Sequence, residues 1–247
     1  MKLLITTPEV SPLTKQSHNA DQINRLALDL EQKGHSVTVF LPRYQWLDKK
    51  DPDIAPLTRR IRLRLGVGTK EFNIYQTQLP DSLIQVNLID KDLYFKRGNV
   101  FGDSDSVYPD HHERYQYFSL AVLESLKVLN YQPDVIVSIG STTAATPIYL
   151  KRALSDQPFY RAISSLHVTQ GNQPYDTCDQ NTFTAIGFPD VLTFPSDEKQ
   201  LNLNQAAIAD AHDSLYVESS TQSEINVDEF IKSAQKAIET NKSLVIN

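Results

Sequence analysis

The chain alternates short apolar runs with longer amphipathic stretches. Residues 2–6 (KLLIT) are apolar enough for a buried strand. From Ala20 to Lys33 the residues Ile23, Leu26, Ala27 and Leu30 share one helical face, with Asn19 placed as N-cap and Gly34 as the stop. HSVTVFLP supplies a second strand, so residues 1–42 predict a βαβ unit. The period then changes. RIRLRL (60–65) alternates strictly, and EFNIYQTQL and LIQVNLID are further strand-like runs, which predicts antiparallel or mixed strands inserted near 60–90. A loop rich in Gly, Asp and Ser (97–107) leads to a helix from Asp110 to Leu129, whose inward stripe is Tyr115, Phe118, Val122, Leu126 and Leu129.

The βα rhythm resumes afterwards. Strands are predicted at 134–139, 160–166, 190–194 and 214–217, and helices at 142–154, near 196–209 and at 227–239. This alternation predicts an α/β fold: one domain over 1–247, a Rossmann-like, mostly parallel sheet with helices on both faces. The 40% hydrophobic and 22% charged residues fit a packed chain and argue against disorder. A net charge of −6 argues against nucleic acid or an anionic membrane as partner. One cysteine, Cys178, excludes an internal disulfide framework and a cysteine-rich zinc site. The opening apolar run is too short for a signal peptide, and no stretch approaches the ~20 apolar residues of a membrane helix, so the cytoplasm is the expected location.

Ligands of such sheets bind at the carboxyl ends of the strands. Four loops there carry candidate chemistry. In SPLTKQSHNADQI, Lys15 could meet a phosphate, with His18 and Asp21 nearby; the plain alternative is a solvated loop. SIGSTTAAT offers Gly140, Ser141 and Thr142 where a helix start would present free N–H groups, unless Ser141 or Thr142 simply caps it. SSLHVTQGNQPYD carries Ser165, His167 and Gln170. VYPDHHERYQYF carries Tyr108 and Asp110, and its adjacent His111 and His112 would point about 100° apart, which suits an exposed helix start better than a metal site. No Ser-His-Asp order, HExxH, CxxC or GxxxxGK[ST] pattern occurs. No cofactor and no metal are expected.

The order of these pieces resembles the N-terminal domain of bacterial glycogen synthases and plant starch synthases, retaining glucosyltransferases of the GT-B fold. TTPEVSPLTKQSHNADQINRLALDLEQKGHSVTVFLPRY is similar to the family opening E-x-x-P-x-x-K-T-G-G-L-A-D-V, its helix, and G-H-x-V-x-V-x-x-P-x-Y. YPDHHERYQYFS resembles Y-x-D-N-x-x-R-F-x-x-F-S, and STTAATPIYLK follows W-x-x-x-x-x-P-x-Y-L; together these cover residues 1–195. The departures fall on working residues. Lys15 and Asp21 match, but the two family glycines are Ser17 and His18, where a Cβ would crowd a phosphate and a positive φ would add strain of about 1 kcal/mol. Family H-D-W is Ile139, Gly140 and Ser141. Ser165 aligns with the active-site histidine, and His167 lies two positions away on the same strand face.

The resemblance implies an acceptor-side half that is not a competent glucosyltransferase alone, with a former phosphate cradle at its start. The expected ligand is an α-glucan or a nucleotide-sugar. The expected partner is a separate C-terminal-domain protein completing a split transferase, or a second copy in a homo-oligomer. A further reading keeps the fold and gives it new acid–base chemistry, with an anion at the Gly140–Thr143 turn and His18 or His167 as the proton carrier.

Overall fold

The computed structural model describes residues 1–14, 16–47, 53–65, 68–103, 106–171, 173–179, 181, 200–217 and 224–246. Lys15, the strand expected at 190–194 and the start of the helix expected near 196 lie outside them. The strands are β1 (Lys2–Thr6), β2 (Ser36–Pro42), β3 (Ala55–Leu65), β4 (Gly68–Gln78), β5 (Gln85–Asp90), the two-residue ribbon β6 (Gly102–Asp103) and β7 (Ser106–Val107), β8 (Val135–Ile139), β9 (Ser164–Gln170), β10 (Thr177–Asp179), β11 (Gln200–Asn202) and β12 (Asp213–Val217). The helices are α1 (Asn19–Gln32), α2 (Asp92–Phe95), α3 (His111–Val128), α4 (Ala145–Arg152), α5 (Pro158–Arg161), α6 (Leu203–Asp210) and α7 (Val227–Ile246).

Eight strands form one sheet in the order β12-β9-β8-β1-β2-β5-β4-β3. Its centre is parallel: β1 pairs with both β2 and β8, and the parallel pairing continues to β9 and β12 on one side and β5 on the other. In this sheet only β4 runs against the rest, pairing antiparallel with both β5 and β3. The segment expected as an insertion therefore extends the main sheet. On β3, Ile61 and Leu63 are buried while Arg62 and Arg64 face out, so cations guard the edge strand against further pairing. Helices α1 and α7 pack on one another and on one face, and α3, α4 and α6 form the other layer.

Helix α1 ends in a Schellman turn. Gly34 at φ +83 donates its N–H to Glu31, and His35 donates to Leu30. Its start differs from expectation: His18 is the N-cap, with φ −63 and no side-chain cap bond, and Asn19 is the first helical residue. Helix α7 is longer than expected and is capped by Asn226, whose Oδ1 accepts from the N–H groups of Asp228 and Glu229 at 3.0 and 3.1 Å. The strand expected at 160–166 begins later, because Pro158 starts the short α5 and β9 follows at Ser164.

Helix α3 is buried almost all round, since it lies between the β3–β5 arm and α4. A single inward stripe was therefore too narrow an expectation, and the exposed helix start is corrected too: His111 is only 2% exposed. Arg114, wholly buried, spends its guanidinium on the carbonyls of Tyr94 and Val100, which ties the segment before the β6–β7 ribbon to α3.

Buried histidines give this fold an acid limb. His167 on β9 is fully buried; Asn204 Oδ1 accepts from its Nε2 at 3.1 Å, and its Nδ1 accepts from the Ser138 hydroxyl at 2.8 Å. Burial lowers its pKa to about 4. The unfolded chain, with histidine near 6.5, binds more protons between these values, so the stabilisation is complete above about pH 6.5 and is lost as pH falls to about 4. That loss is about 3 kcal/mol at about 1.4 kcal/mol per unit. Urea unfolding from pH 7 to 4 should show it, and His167→Gln should flatten that limb; an unchanged slope would exclude His167 as its source.

Candidate functional site

Strand β1 is the switch point of the sheet, because the chain leaves it for β2 on one side while β8 borders it on the other. The loops after β1, β8 and β9 meet there. Their crevice is lined by Glu9 and Ser17 from the first, Gly140, Ser141 and Thr142 from the second, and Gln170 and Tyr175 from the third. Phe101, Asp176 and Asn204 close its sides.

The opening loop is organised by Glu9, a carboxylate 1% exposed at the end of β1. Its Oε2 accepts the backbone N–H groups of Gln16 at 2.5 Å and Ser17 at 3.1 Å. Two amides of the expected phosphate cradle are thus held by an internal anion. Burial raises the Glu9 pKa and these hydrogen bonds oppose the rise. The Gln16 side chain ties the loop to its neighbour, donating to Asn99 at 3.2 Å and accepting from the Val100 N–H at 2.7 Å. Tyr44 donates to the Pro8 carbonyl at 2.9 Å and meets the Tyr115 hydroxyl at 3.0 Å. The strain expected at His18 is absent, since its φ is −63.

The second loop turns at Gly140, where φ is +70 and the N–H donates to Val168 at 2.8 Å. A 3-10 turn, Ser141–Thr143, then leads into α4, and neither Ser141 nor Thr142 caps it with a side chain. Thr143 instead bonds back to the Ile139 carbonyl at 2.9 Å. The Ser141 hydroxyl, 5% exposed, has no partner among the described residues. The same holds for Glu9 Oε1 and Asp176 Oδ1. Asp176 Oδ2, by contrast, accepts from the Gln173 N–H at 2.8 Å.

The third loop folds back over the crevice. The Tyr175 ring stacks on Phe101 with centroids 5.2 Å apart and planes 10° apart, and lies 4.6 Å from the His111 ring. His112 Nε2 donates to the Tyr175 carbonyl at 3.1 Å. Burial drives the His111 pKa down to about 3, so the ring against Tyr175 is neutral at ordinary pH. Two small spaces remain, of about 30 and 10 Å³, sharing Ser141 and Thr142 as walls. Sites for small molecules run to about 300–1,000 Å³, so neither space holds such a ligand as it stands.

Of the residues singled out from sequence, Gly140, Ser141, Thr142 and Gln170 come together here; Gln170 reaches Gln22 at 3.4 Å. His167 stands one residue behind, reaching the crevice only through Asn204, and its buried, doubly bonded ring is not presented as an acid–base group. Ser165 lies at the amino end of β9, away from the crevice; its N–H donates to His212 Nδ1 at 3.0 Å and its hydroxyl lies 2.9 Å from the same nitrogen. Tyr108 and Asp110 serve another cluster: Tyr108 donates to Asp103 at 3.0 Å beneath the guanidinium groups of Arg97 and Arg114, and Asp110 pairs with Arg97. His18 and Asp21 sit on the first turn around the α1 start and do not line the crevice. Among the described residues no group of three or more His, Cys, Asp or Glu is arranged to hold a metal, and no helix is long and apolar enough to cross a membrane. Glu9, Phe101, Tyr175, Asp176 and Asn204 were not anticipated as site residues.

The family model described as the starch synthase catalytic domain matches residues 2–240. The chain belongs to that family. Glycogen synthase of Geotalea daltonii is 32% identical over 160 residues, covering 65% of this chain and 33% of that protein. Glycogen synthase of Moorella thermoacetica is 31% identical over 196 residues, covering 79% and 38%. The catalytic domain of starch synthase IV from Arabidopsis thaliana, solved with ADP and acarbose, superposes with a TM-score of 0.73 at 20% identity, over 87% of this chain and 44% of that one. The chain thus spans about a third of the length of the curated relatives it matches. Its fold is that of one half of a GT-B glycosyltransferase.

The Glu9 clamp makes a local prediction. Glu9→Ala should cost about 1 kcal/mol, the loss of two part-buried hydrogen bonds, and should speed hydrogen exchange at Gln16 and Ser17. Glu9→Gln, which keeps an acceptor oxygen, should retain most of the protection. Equal exchange in both variants would mean that Glu9 does not hold the loop.

Proposed function

We propose that this chain is the acceptor-side, N-terminal half of a glycogen/starch-synthase-type protein, that it binds α-glucan at the β1–β8 crevice, and that it is not a glucosyltransferase by itself. The observation that carries this reading is the set of unmet polar atoms in the crevice. Two carboxylate oxygens, Glu9 Oε1 and Asp176 Oδ1, and the Ser141 hydroxyl are buried there without partners among the described residues. Buried groups of this kind are costly unless a ligand or water meets them. Acceptors call for donors, and a saccharide offers a row of hydroxyl groups; a diphosphate offers only more acceptors. The starch synthase neighbour was solved with a saccharide analogue and ADP, which supports the same class of ligand.

Transfer from a nucleotide-sugar asks for more. Donor, acceptor and departing diphosphate must be held together with positive charge at the leaving group. Here Ser17 and His18 replace the two glycines of the family opening, and Ile139, Gly140 and Ser141 stand where the family carries H-D-W. The chain covers 33% of the Geotalea daltonii glycogen synthase and 44% of the starch synthase IV chain, so the rest of those proteins has no counterpart in the crevice described.

Two measurements test the proposal. Incubated with ADP-glucose or UDP-glucose and glycogen, the chain alone should transfer no label, and measurable transfer would refute the claim that it is incompetent. Asp176→Asn, which replaces an acceptor by a donor, should weaken maltohexaose binding about tenfold, equivalent to about 1.4 kcal/mol. Unchanged affinity would remove Asp176 from the ligand's contacts.

A further inference from the structure

We propose that Tyr175 is a built-in plug of the crevice: its ring holds the place a saccharide takes, and binding is coupled to release of the Gln173–Asp176 turn from His112. This rests on the reading of the crevice as a saccharide site and adds the means by which access to it is regulated.

Three observations on the third loop carry it. The ring is held by its faces alone. It lies against Phe101 and His111, and its hydroxyl makes no hydrogen bond among the described residues. Tyr175 is only half-buried, and unlike the fully buried Tyr44, Tyr115 and Tyr160 it has no hydroxyl bond among the described residues fixing the ring in place.

The ring also stands where space is missing. Tyr175 lines the larger remaining space and His111 the smaller, and Ser141 and Thr142 border both. Moving the ring outward joins them into one opening floored by the Ser141 hydroxyl and the Glu9 and Asp176 carboxylates. Those groups lack partners in the closed form and gain them in the open one.

The turn is finally a self-contained unit between two fixed points. Gln173 and Asp176 bond each other in both directions, N–H to carboxylate at 2.8 Å and carbonyl to N–H at 3.1 Å. Before it, Gly171 sits at φ +55 with its N–H on Val217, a conformation suited to a hinge. After it, the Asp176 carbonyl is anchored by the Leu203 N–H at 2.8 Å. Between these anchors, the His112 bond to the Tyr175 carbonyl is the latch on α3.

A ligand that binds only the open form has its affinity reduced by the open fraction. Calorimetric titration of the full chain with maltohexaose should therefore show Tyr175→Ala binding about tenfold more tightly than the parent, if the open form is about a tenth of the population. His112→Ala, which frees the turn and keeps the ring, should bind more tightly by a smaller factor. Thermal melting checks that both variants fold, and His112→Ala alone decides the matter if Tyr175→Ala does not. Equal or weaker binding by Tyr175→Ala would overturn the plug and leave the saccharide site standing. Parent affinity in His112→Ala would strike out the latch. Absence of binding by parent and variants alike would overturn both the plug and the saccharide reading.

Discussion

The Glu9 carboxylate is the constraint on which the crevice depends. It is buried at the end of the central strand, where an unpaired charge is expensive, and it is tolerated because the amides of Gln16 and Ser17 converge on one of its oxygens. That convergence closes the loop after β1 into a ring and sets where α1 begins. It leaves the second oxygen facing the crevice. The same contact that shapes the loop occupies the Gln16 and Ser17 amides, while the departures from the family opening fall beside it, at Ser17 and His18.

Around this ring the loops are cross-braced. Gln16 spans to Asn99 and Val100, Tyr44 holds Pro8, and Tyr115 and the buried Arg114 both hold Val100. These polar contacts cluster at the carboxyl ends of the strands, whereas the layers between sheet and helices are packed with Leu, Ile, Val and aromatic side chains. The apolar layers give stability without choosing a ligand. The polar rim gives the crevice its chemistry, and the His111–Tyr175–Phe101 rings close it.

Much of the fold was legible in the sequence. The helical stripe of α1, the glycine stop at Gly34 and the βα rhythm each follow from local rules, and the helix and strand ends mostly agree with them. Less legible was α3, because its burial on two sides comes from α4 and from the β3–β5 arm, whose place in the main sheet no local pattern states. The site was legible in part. Gly140, Ser141, Thr142 and Gln170 were singled out because they follow strand ends, and the fold brings them to one crevice. Ser165 lies at the other end of its strand, because β9 begins at Ser164 and runs on to Gln170 before the loop over the crevice. Glu9 and Tyr175 were missed for a different reason: an acid after a strand and a tyrosine in a polar loop look ordinary until distant loops are seen to meet them. The match of Glu9 to the E of the motif E-x-x-P was the one clue in the sequence.

The central claim is that the crevice takes a polyhydroxyl ligand and has lost the ability to hold a nucleotide diphosphate. Calorimetric titration of the unmodified chain with maltohexaose and, separately, with ADP tests it most directly. The account predicts saturable binding of maltohexaose and no binding of ADP in the micromolar range. Micromolar ADP binding without any response to maltohexaose would contradict it, and would show that the loop after β1 still works as a phosphate cradle.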